Sequence, residues 1–152
     1  YGTHHAKDAH DLFLTKNKHL NIFSSAMKVN SQYMHIIRFN INKVGHMSKN
    51  NVVSCFQENK FVALTHKTLS NKIFSFGRDH GYYGRIFNQT VISTPSLLVV
   101  SNVDTTTIIG YCFTPQDGNS LLSSAAACLY GIHKQDYLTY MKEFDEFLFS
   151  WV

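Results

Sequence analysis

Short runs of β-branched and aromatic residues recur along most of the chain, and they constrain its fold more than any other feature. In 33–41, YMHIIRFNI, the side chains Tyr, His, Ile, Phe and Ile share one face of a two-residue alternation, which is typical of a strand. Further short β-rich runs follow as IFSF, RIFNQTVI, SLLVVSNV and TTTIIGYCF. About eight short strands with helices at the termini favour an all-β barrel or sandwich.

Two other segments predict a β-hairpin and a C-terminal helix. Asn51–Phe56 and Lys60–Thr65 flank a polar Gln-Glu-Asn turn and therefore predict a β-hairpin. In 136–151, DYLTYMKEFDEFLFSW, apolar residues recur at three- and four-residue steps after Asp136, a plausible N-cap. This change of period predicts an amphipathic C-terminal helix.

Composition is consistent with a folded intracellular protein. Apolar residues make up 44% of the 152 residues and aromatic residues 14%, enough for a packed core in one domain or two small lobes. Three cysteines without CxxC spacing and without a recognisable signal peptide favour a reducing compartment. No apolar run approaches the length of a membrane span.

The formal charge of +4 and the sequence pI of about 9.0 permit weak attraction to RNA or to anionic surfaces. A metal site at His4, His5 and His10 is conceivable, but no cysteine accompanies them, and we expect a polar terminus without a metal. The cations that we expect to contribute to a basic face are Lys43, Lys49, Lys60, Lys67, Lys72, Arg78 and Arg85.

His66 is the first candidate catalytic residue. The apolar run KFVALT ends at Thr65, and His66 follows directly. A histidine at a strand end is held by rigid backbone and still reaches a cleft, which suits a general base. The alternative is a surface histidine at an ordinary turn.

The second candidate is the stretch TPQDGNSLLSSAAACLYGIHKQ at 114–135. A tight turn over 117–120 can direct backbone N–H groups at an oxyanion. We expect a strand after it that ends at Gly131, Ile132 and His133, where the imidazole could contact an uncharged substrate side chain. The alternative is an ordinary β-hairpin with a histidine at the edge of the core.

Together, FVALTH, TPQDGNSLLSS and LYGIH resemble the picornavirus-type (3C-like) cysteine proteases, with potyvirus-type proteases as relatives. The resemblance implies a chymotrypsin-like double β-barrel, shortened or lacking loops, with terminal helices. Its N-terminal lobe would be 1–84 and its C-terminal lobe 85–152. It also implies a viral enzyme of the host-cell cytoplasm that cleaves a polyprotein after glutamine or a similar uncharged residue, without a cofactor.

The resemblance assigns roles to individual residues. His66 matches the general base, and Asp79, in FGRD, matches the acid that orients it, although Asp79 also suits a turn between neighbouring glycines. Thr114 and His133 match the residues that hold the glutamine amide, and Gly118 lies where backbone amides form the oxyanion hole.

The nucleophile is where the sequence departs from the family. Asp117 is followed directly by Gly118, whereas the family has a cysteine between such residues. Three explanations stay open: a modified cysteine absent from the sequence, a lost nucleophile, or attack by Ser120. The short distance in sequence between His66 and this turn also suggests missing loops. Cys112 lies within a strand pattern, so core packing suits it better than catalysis.

Three functions follow from these observations. The first is a viral cysteine endopeptidase that acts on a polyprotein peptide. The second is an inactive homologue of the protease fold that binds RNA or protein. The third is an unrelated β-rich interaction domain.

Overall fold

The computed structural model describes residues 2–27, 34–79, 89–116 and 120–152. The chain forms two compact units, residues 1–30 and residues 31–152. The described part of the first unit contains one helix followed by residues without regular secondary structure, and the second unit contains a mixed β-sheet with helices. The helices and strands are α1 (His4–Leu14), β1 (Met34–Val44), α2 (Lys49–Gln57), β2 (Val62–Thr65), α3 (Ser70–Asp79), β3 (Thr90–Ser93), β4 (Leu98–Ser101), β5 (Thr105–Pro115), α4 (Leu121–His133) and α5 (Tyr137–Met141).

The sheet is built around β5. Strand β1 pairs antiparallel with β5 over eleven consecutive residue pairs, from Met34 opposite Pro115 to Val44 opposite Thr105. The other edge of β5 pairs antiparallel with both β3 and β4, which the 3-10 helix Thr94–Ser96 separates. Strand β2 lies parallel to β3, so the main order is β1-β5-β3-β2.

The prediction of an all-β double barrel is wrong, because the unit contains one open sheet with helices. Strands from the segment assigned to the N-terminal lobe pair with strands from the segment assigned to the C-terminal lobe: β1 with β5, and β2 with β3. No separate barrel can close around either set. The proposed lobe boundary between 84 and 85 lies outside the described residues.

Two of the expected strands are helices. The segment Asn51–Phe56 belongs to α2 and not to a hairpin, since the Ser48 hydroxyl caps the helix by accepting the Asn51 N–H at 3.2 Å. Val52 and Phe56, four residues apart, lie on its core side. The run IFSF belongs to α3.

The stretch after 120 is also helical. The expected strand ending at His133 is instead α4, a thirteen-residue helix whose last residue is His133. Its sequence LLSSAAACLYGIH is rich in alanine and leucine, which have the highest helix propensities. The prediction of a strand end at this histidine is therefore wrong.

Other predictions are confirmed. The alternating run from 33 forms β1 from Met34 onward, while Tyr33 lies outside the described residues. SLLVVSNV contains β4, TTTIIGYCF lies within β5, and the end of RIFNQTVI contributes to β3. The C-terminal helix is confirmed in part: α5 continues as a 3-10 helix over Lys142–Phe147, after which the chain is no longer helical.

Apolar side chains pack on both faces of the sheet. On one face, α3 contributes Ile73, and on the other, α2 contributes Val52. Burial of these side chains is the main source of stability. The first cluster consists of Met34, Ala63, Ile73, Val91, Phe113 and Val152, and the second of Val52, Leu64, Ile92, Leu97, Ile108 and Cys112.

Phe39 anchors the middle of β1 against the second cluster. It lies opposite Gly110 of β5, and a Cβ at Gly110 would come within 2.7 Å of the Phe39 ring. The absence of a side chain at Gly110 therefore leaves the space in which the Phe39 ring lies over β5. The ring then packs edge-on against Phe56 of α2, with a centroid distance of 6.1 Å.

Gln89 joins the start of β2 to the C-terminal segment. Its side-chain amide donates to the carbonyl oxygens of Lys60 and Phe149, each at 2.8 Å, and its carbonyl accepts the Phe149 N–H at 2.8 Å. The residue is only 2% exposed. This buried amide therefore satisfies three backbone groups of two residues, Lys60 and Phe149, that lie far apart in the sequence.

We expect Gln89→Ala to lower the free energy of unfolding by about 2–4 kcal/mol, since it leaves these three backbone groups without their partner. Urea unfolding followed by circular dichroism measures the change. The matched control is Gln57→Ala, because Gln57 is exposed at the end of α2. Equal stability of the two variants would contradict the role of Gln89.

Candidate functional site

His66 lies directly after β2, as predicted, and its side chain is exposed. The backbone around it is fixed by the buried Thr65, whose hydroxyl donates to the Val152 carbonyl at 2.7 Å and accepts the Lys67 N–H at 3.0 Å. His66 is thus an exposed imidazole on a rigid strand end.

The hydrogen bonds of Thr94 allow a tautomer to be assigned to His66. The Thr94 hydroxyl donates its single proton to the Thr65 carbonyl at 3.1 Å, and it also lies 3.2 Å from His66 Nδ1. Because this proton goes to the Thr65 carbonyl, we assign Nδ1–H as the donor to the Thr94 hydroxyl. In the neutral imidazole, Nε2 then carries the lone pair and can accept a proton.

Trp151 holds the plane of the His66 ring. The two rings stack with a centroid distance of 4.5 Å and an interplanar angle of 27°. Trp151 itself is positioned by a parallel bridge to Leu64, supported by hydrogen bonds from Leu64 N–H to Ser150 and from Val152 N–H to Leu64, each at 2.9 Å. The C-terminal segment therefore positions the imidazole together with Thr94.

The expected acid and nucleophile occupy other elements. Asp79 is the last residue of α3, a ten-residue helix about 15 Å long that begins four residues after His66. The partner of His66 Nδ1 is Thr94 and not Asp79. Ser120 is the N-cap of α4, and its carbonyl accepts the Ser124 N–H at 2.8 Å. Asp117 and Gly118, including the expected position of the nucleophile and the oxyanion hole, lie outside the described residues.

The two residues expected to hold a glutamine side chain belong to different elements. Thr114 is in β5, opposite His35 of β1. His133, at the end of α4, stacks on Tyr140 of α5 with a centroid distance of 3.8 Å and an angle of 19°. Among the described residues, no hydrogen bond or ring contact joins either residue to His66, and their joint role stays a prediction.

A feature that sequence reasoning missed is the outer edge of β1, the side of the strand that faces away from β5. In the described part of the chain, β1 pairs with β5 alone. The eleven-residue ladder between them contains no bulge. The strand pattern was visible in the sequence, but its position at the edge of the sheet was not.

Alternation of the ladder shows which backbone groups face outward. Gly45 N–H donates to the Asp104 carbonyl at 2.6 Å, which makes this pair, one step beyond β1, a hydrogen-bonded one. Hydrogen-bonded and non-hydrogen-bonded pairs alternate in antiparallel sheets. The odd-numbered residues of β1 therefore bond to β5. The N–H and C=O groups that face the outer edge belong to Ile36, Arg38, Asn40, Asn42 and Val44. Of these, the Val44 carbonyl accepts a hydrogen bond from Lys43 Nζ at 2.8 Å.

Side chains along this edge are exposed on both faces of the sheet. On the α2 face, Ile37 and Ile41 flank the anchored Phe39 and are 42% and 43% exposed. On the opposite face, Arg38 and Asn40 are exposed. Within the described residues, the edge thus combines outward-facing backbone groups with half-exposed aliphatic side chains, which suits an additional strand.

The cations expected to form a basic face lie on several elements. Lys49 donates to the Leu97 carbonyl at 2.9 Å, Lys60 pairs with Asp145 at 2.8 Å, and Lys67 lies over the Phe76 ring at 5.0 Å from its centroid. Lys43 belongs to β1, Lys72 to α3 and Arg78 to the end of α3, whereas Arg85 lies outside the described residues. An RNA-binding face stays a prediction.

Comparisons with protein-family models, with curated proteins and with solved structures find no match to this chain. The resemblance to cysteine proteases stays a prediction. Among the described residues, no helix is long and apolar enough to cross a membrane, and no group of three or more His, Cys, Asp or Glu side chains could hold a metal ion.

The three thiols differ in their environments. Cys55 and Cys128 are exposed, whereas Cys112 is 7% exposed in β5, and burial raises the pKa of its thiol to about 11. Core packing of Cys112 is therefore confirmed. A neutral, buried thiol is a poor nucleophile at physiological pH.

We expect iodoacetamide at pH 8 to modify Cys55 and Cys128 in the folded protein and to leave Cys112 unmodified until urea is added. The raised pKa of Cys112 keeps its thiolate fraction low, and the packed sheet blocks access. Peptide mass spectrometry measures the modification at each site. Modification of Cys112 as fast as the other two would contradict its burial.

Proposed function

We propose that the chain is a binding module that takes up an extended peptide as an additional strand along β1. The observation that supports it is the outer edge of β1, where five residues direct backbone N–H and C=O groups away from β5. Backbone hydrogen bonds to such an edge provide affinity, and alternate side chains provide specificity.

The character of β1 favours strand addition. Edge strands in monomeric proteins are commonly short, bulged, interrupted by proline, covered or marked by charged side chains. Strand β1 has eleven residues, whereas a typical strand has about five or six, and it contains neither proline nor a bulge. Arg38 and Lys43 are its charged residues. They oppose pairing with basic strands, so the edge suits a neutral or acidic peptide.

The opposite end of the sheet differs from β1. There, β2 pairs with the C-terminal residues through the bridge of Leu64 to Trp151. Thr65 and Gln89 hold that segment through their bonds to Val152 and Phe149. Within the described residues, strand addition is therefore favoured at β1 over β2.

The tautomer of His66 favours a second candidate, the cysteine endopeptidase. His66 Nε2 would take the thiol proton, the thiolate would attack the backbone carbonyl carbon of glutamine, and the proton would pass to the leaving amine of the next residue. Water would then hydrolyse the thioester. The hydrogen bond from Nδ1 to Thr94 would keep Nε2 available for this transfer.

If the chain is an endopeptidase, it cleaves a fluorogenic peptide that contains glutamine, and iodoacetamide stops the cleavage. His66→Ala then lowers kcat/KM by at least ~100-fold, because a general base typically contributes this much. The matched control is His46→Ala, since His46 lies outside the cluster of Thr94 and Trp151. Absence of cleavage by the wild-type chain would rule out this candidate.

For the binding module, we expect the wild-type chain to enrich sequences from a phage-displayed library of proline-free decapeptides, and Asn40→Pro to lose this enrichment. Proline removes the outward N–H of Asn40 and leaves the ladder to β5 intact, which an edge strand tolerates. The matched control Asn40→Ala removes the side chain, keeps the N–H and retains enrichment. Circular dichroism checks that both variants fold.

A second measurement does not depend on a variant of the chain. In an enriched peptide, N-methylation of the amides that face β1 should abolish binding, while N-methylation of the alternate amides should preserve it. Equal effects of the two methylation patterns would contradict strand addition, as would a wild-type chain that enriches no peptide.

A further inference from the structure

We propose that the register of β1 selects antiparallel peptides with two aliphatic residues four positions apart and a carboxylate immediately before the second. In the complex, the aliphatic residues lie opposite Ile41 and Ile37, and the carboxylate lies opposite Arg38. This inference rests on the proposed strand addition and names the chemistry of the partner.

Because side chains of β1 alternate between the two faces of the sheet, the aliphatic residues and the carboxylate of the peptide lie on opposite faces. Odd-numbered residues share the face that α2 covers, because Ile41 and Ile37 lie opposite Ile108 and Cys112, which pack in the α2 cluster. Arg38 is even-numbered and lies on the other face. An added strand must therefore present aliphatic side chains on one face and its carboxylate on the other.

The aliphatic positions follow from exposure and spacing. Ile37 and Ile41 are each more than two-fifths exposed, whereas Phe39 between them is packed against Phe56. At the outer edge, odd-numbered positions form the non-hydrogen-bonded pairs with an antiparallel strand, in which side chains approach most closely. β-Branched side chains placed there would cover both isoleucines.

The position of the peptide carboxylate is set by Arg38, which lies on the face opposite the two isoleucines. Arg38 lies opposite Tyr111 of β5, and both side chains are exposed. A residue of the added strand that lies directly opposite Arg38 is within reach of its guanidinium, which binds a carboxylate through two N–H groups. Such an exposed ion pair selects acidic over basic peptides more than it raises affinity.

A second copy of the chain fits this edge less well. The sequence of β1, MHIIRFNINKV, offers isoleucines four residues apart but contains no carboxylate. Two antiparallel copies would bring Arg38 and Lys43 of each chain onto a shared edge without an acidic partner. Charge therefore favours an acidic peptide.

The test uses a fluorescein-labelled nine-residue peptide of threonines, with valines at the positions opposite Ile41 and Ile37 and glutamate at the position opposite Arg38. A second peptide has lysine in place of this glutamate. We expect the wild-type chain to bind the glutamate peptide at least ~5-fold more tightly in fluorescence anisotropy. Arg38→Glu should reverse this preference.

The matched control is Lys142→Glu, which makes the same change of net charge at an exposed residue of the C-terminal 3-10 helix. It should leave the preference unchanged. Equal shifts in the Arg38 and Lys142 variants would overturn the inference, because overall charge and not register would then decide. A third peptide has its glutamate moved by one residue onto the valine face, and it should bind more weakly than the first.

The outcomes separate the two proposals. Library peptides that need the outward Asn40 N–H but lack the valine and glutamate pattern would overturn this inference and leave strand addition standing. Absence of any peptide binding would overturn both. A wild-type dimer in analytical ultracentrifugation that Asn40→Pro converts to monomer would identify a second copy as the occupant and overturn the choice of an acidic peptide.

Discussion

The hydrogen bonding of β5 along both of its edges is the constraint on which the rest of the sheet depends. One edge is matched residue by residue to β1, while the other is shared by β3 and β4. This arrangement makes β5 the centre of the sheet and β1 its outer strand. Gly110 supports it by leaving space for the Phe39 ring to cross β5.

The two ends of the sheet have different consequences for function. At β2, the bridge between Leu64 and Trp151 extends the sheet and also places the Trp151 ring against His66. The same contact therefore stabilises the fold and positions a reactive side chain. At β1, outward-facing backbone groups and three exposed isoleucines, Ile36, Ile37 and Ile41, are left available. The fold thus separates a preorganised imidazole from a surface suited to an extended partner.

The sequence predicted the elements whose pattern is local. Alternation over 34–41 and the β-branched run in β5 identified both strands, and the position of His66 after a strand was also correct. The short run NVVSCF is compatible with both a strand and a helix. The residue that caps the helix, Ser48, lies before this run. The strand expected to end at His133 was wrong, because the alanines before it favour the helix that the chain forms there. The partners of His66 and the edge position of β1 arise from contacts between residues far apart in the sequence, which no local pattern contains.

Amide hydrogen exchange of β1, followed residue by residue with NMR, tests the central claim most directly. If the outer edge of β1 is open and in the described register, the even-numbered amides from Ile36 to Val44 exchange rapidly. The odd-numbered amides from His35 to Lys43 are then protected by their bonds to β5. Protection of both sets, or the reverse alternation, would contradict the account.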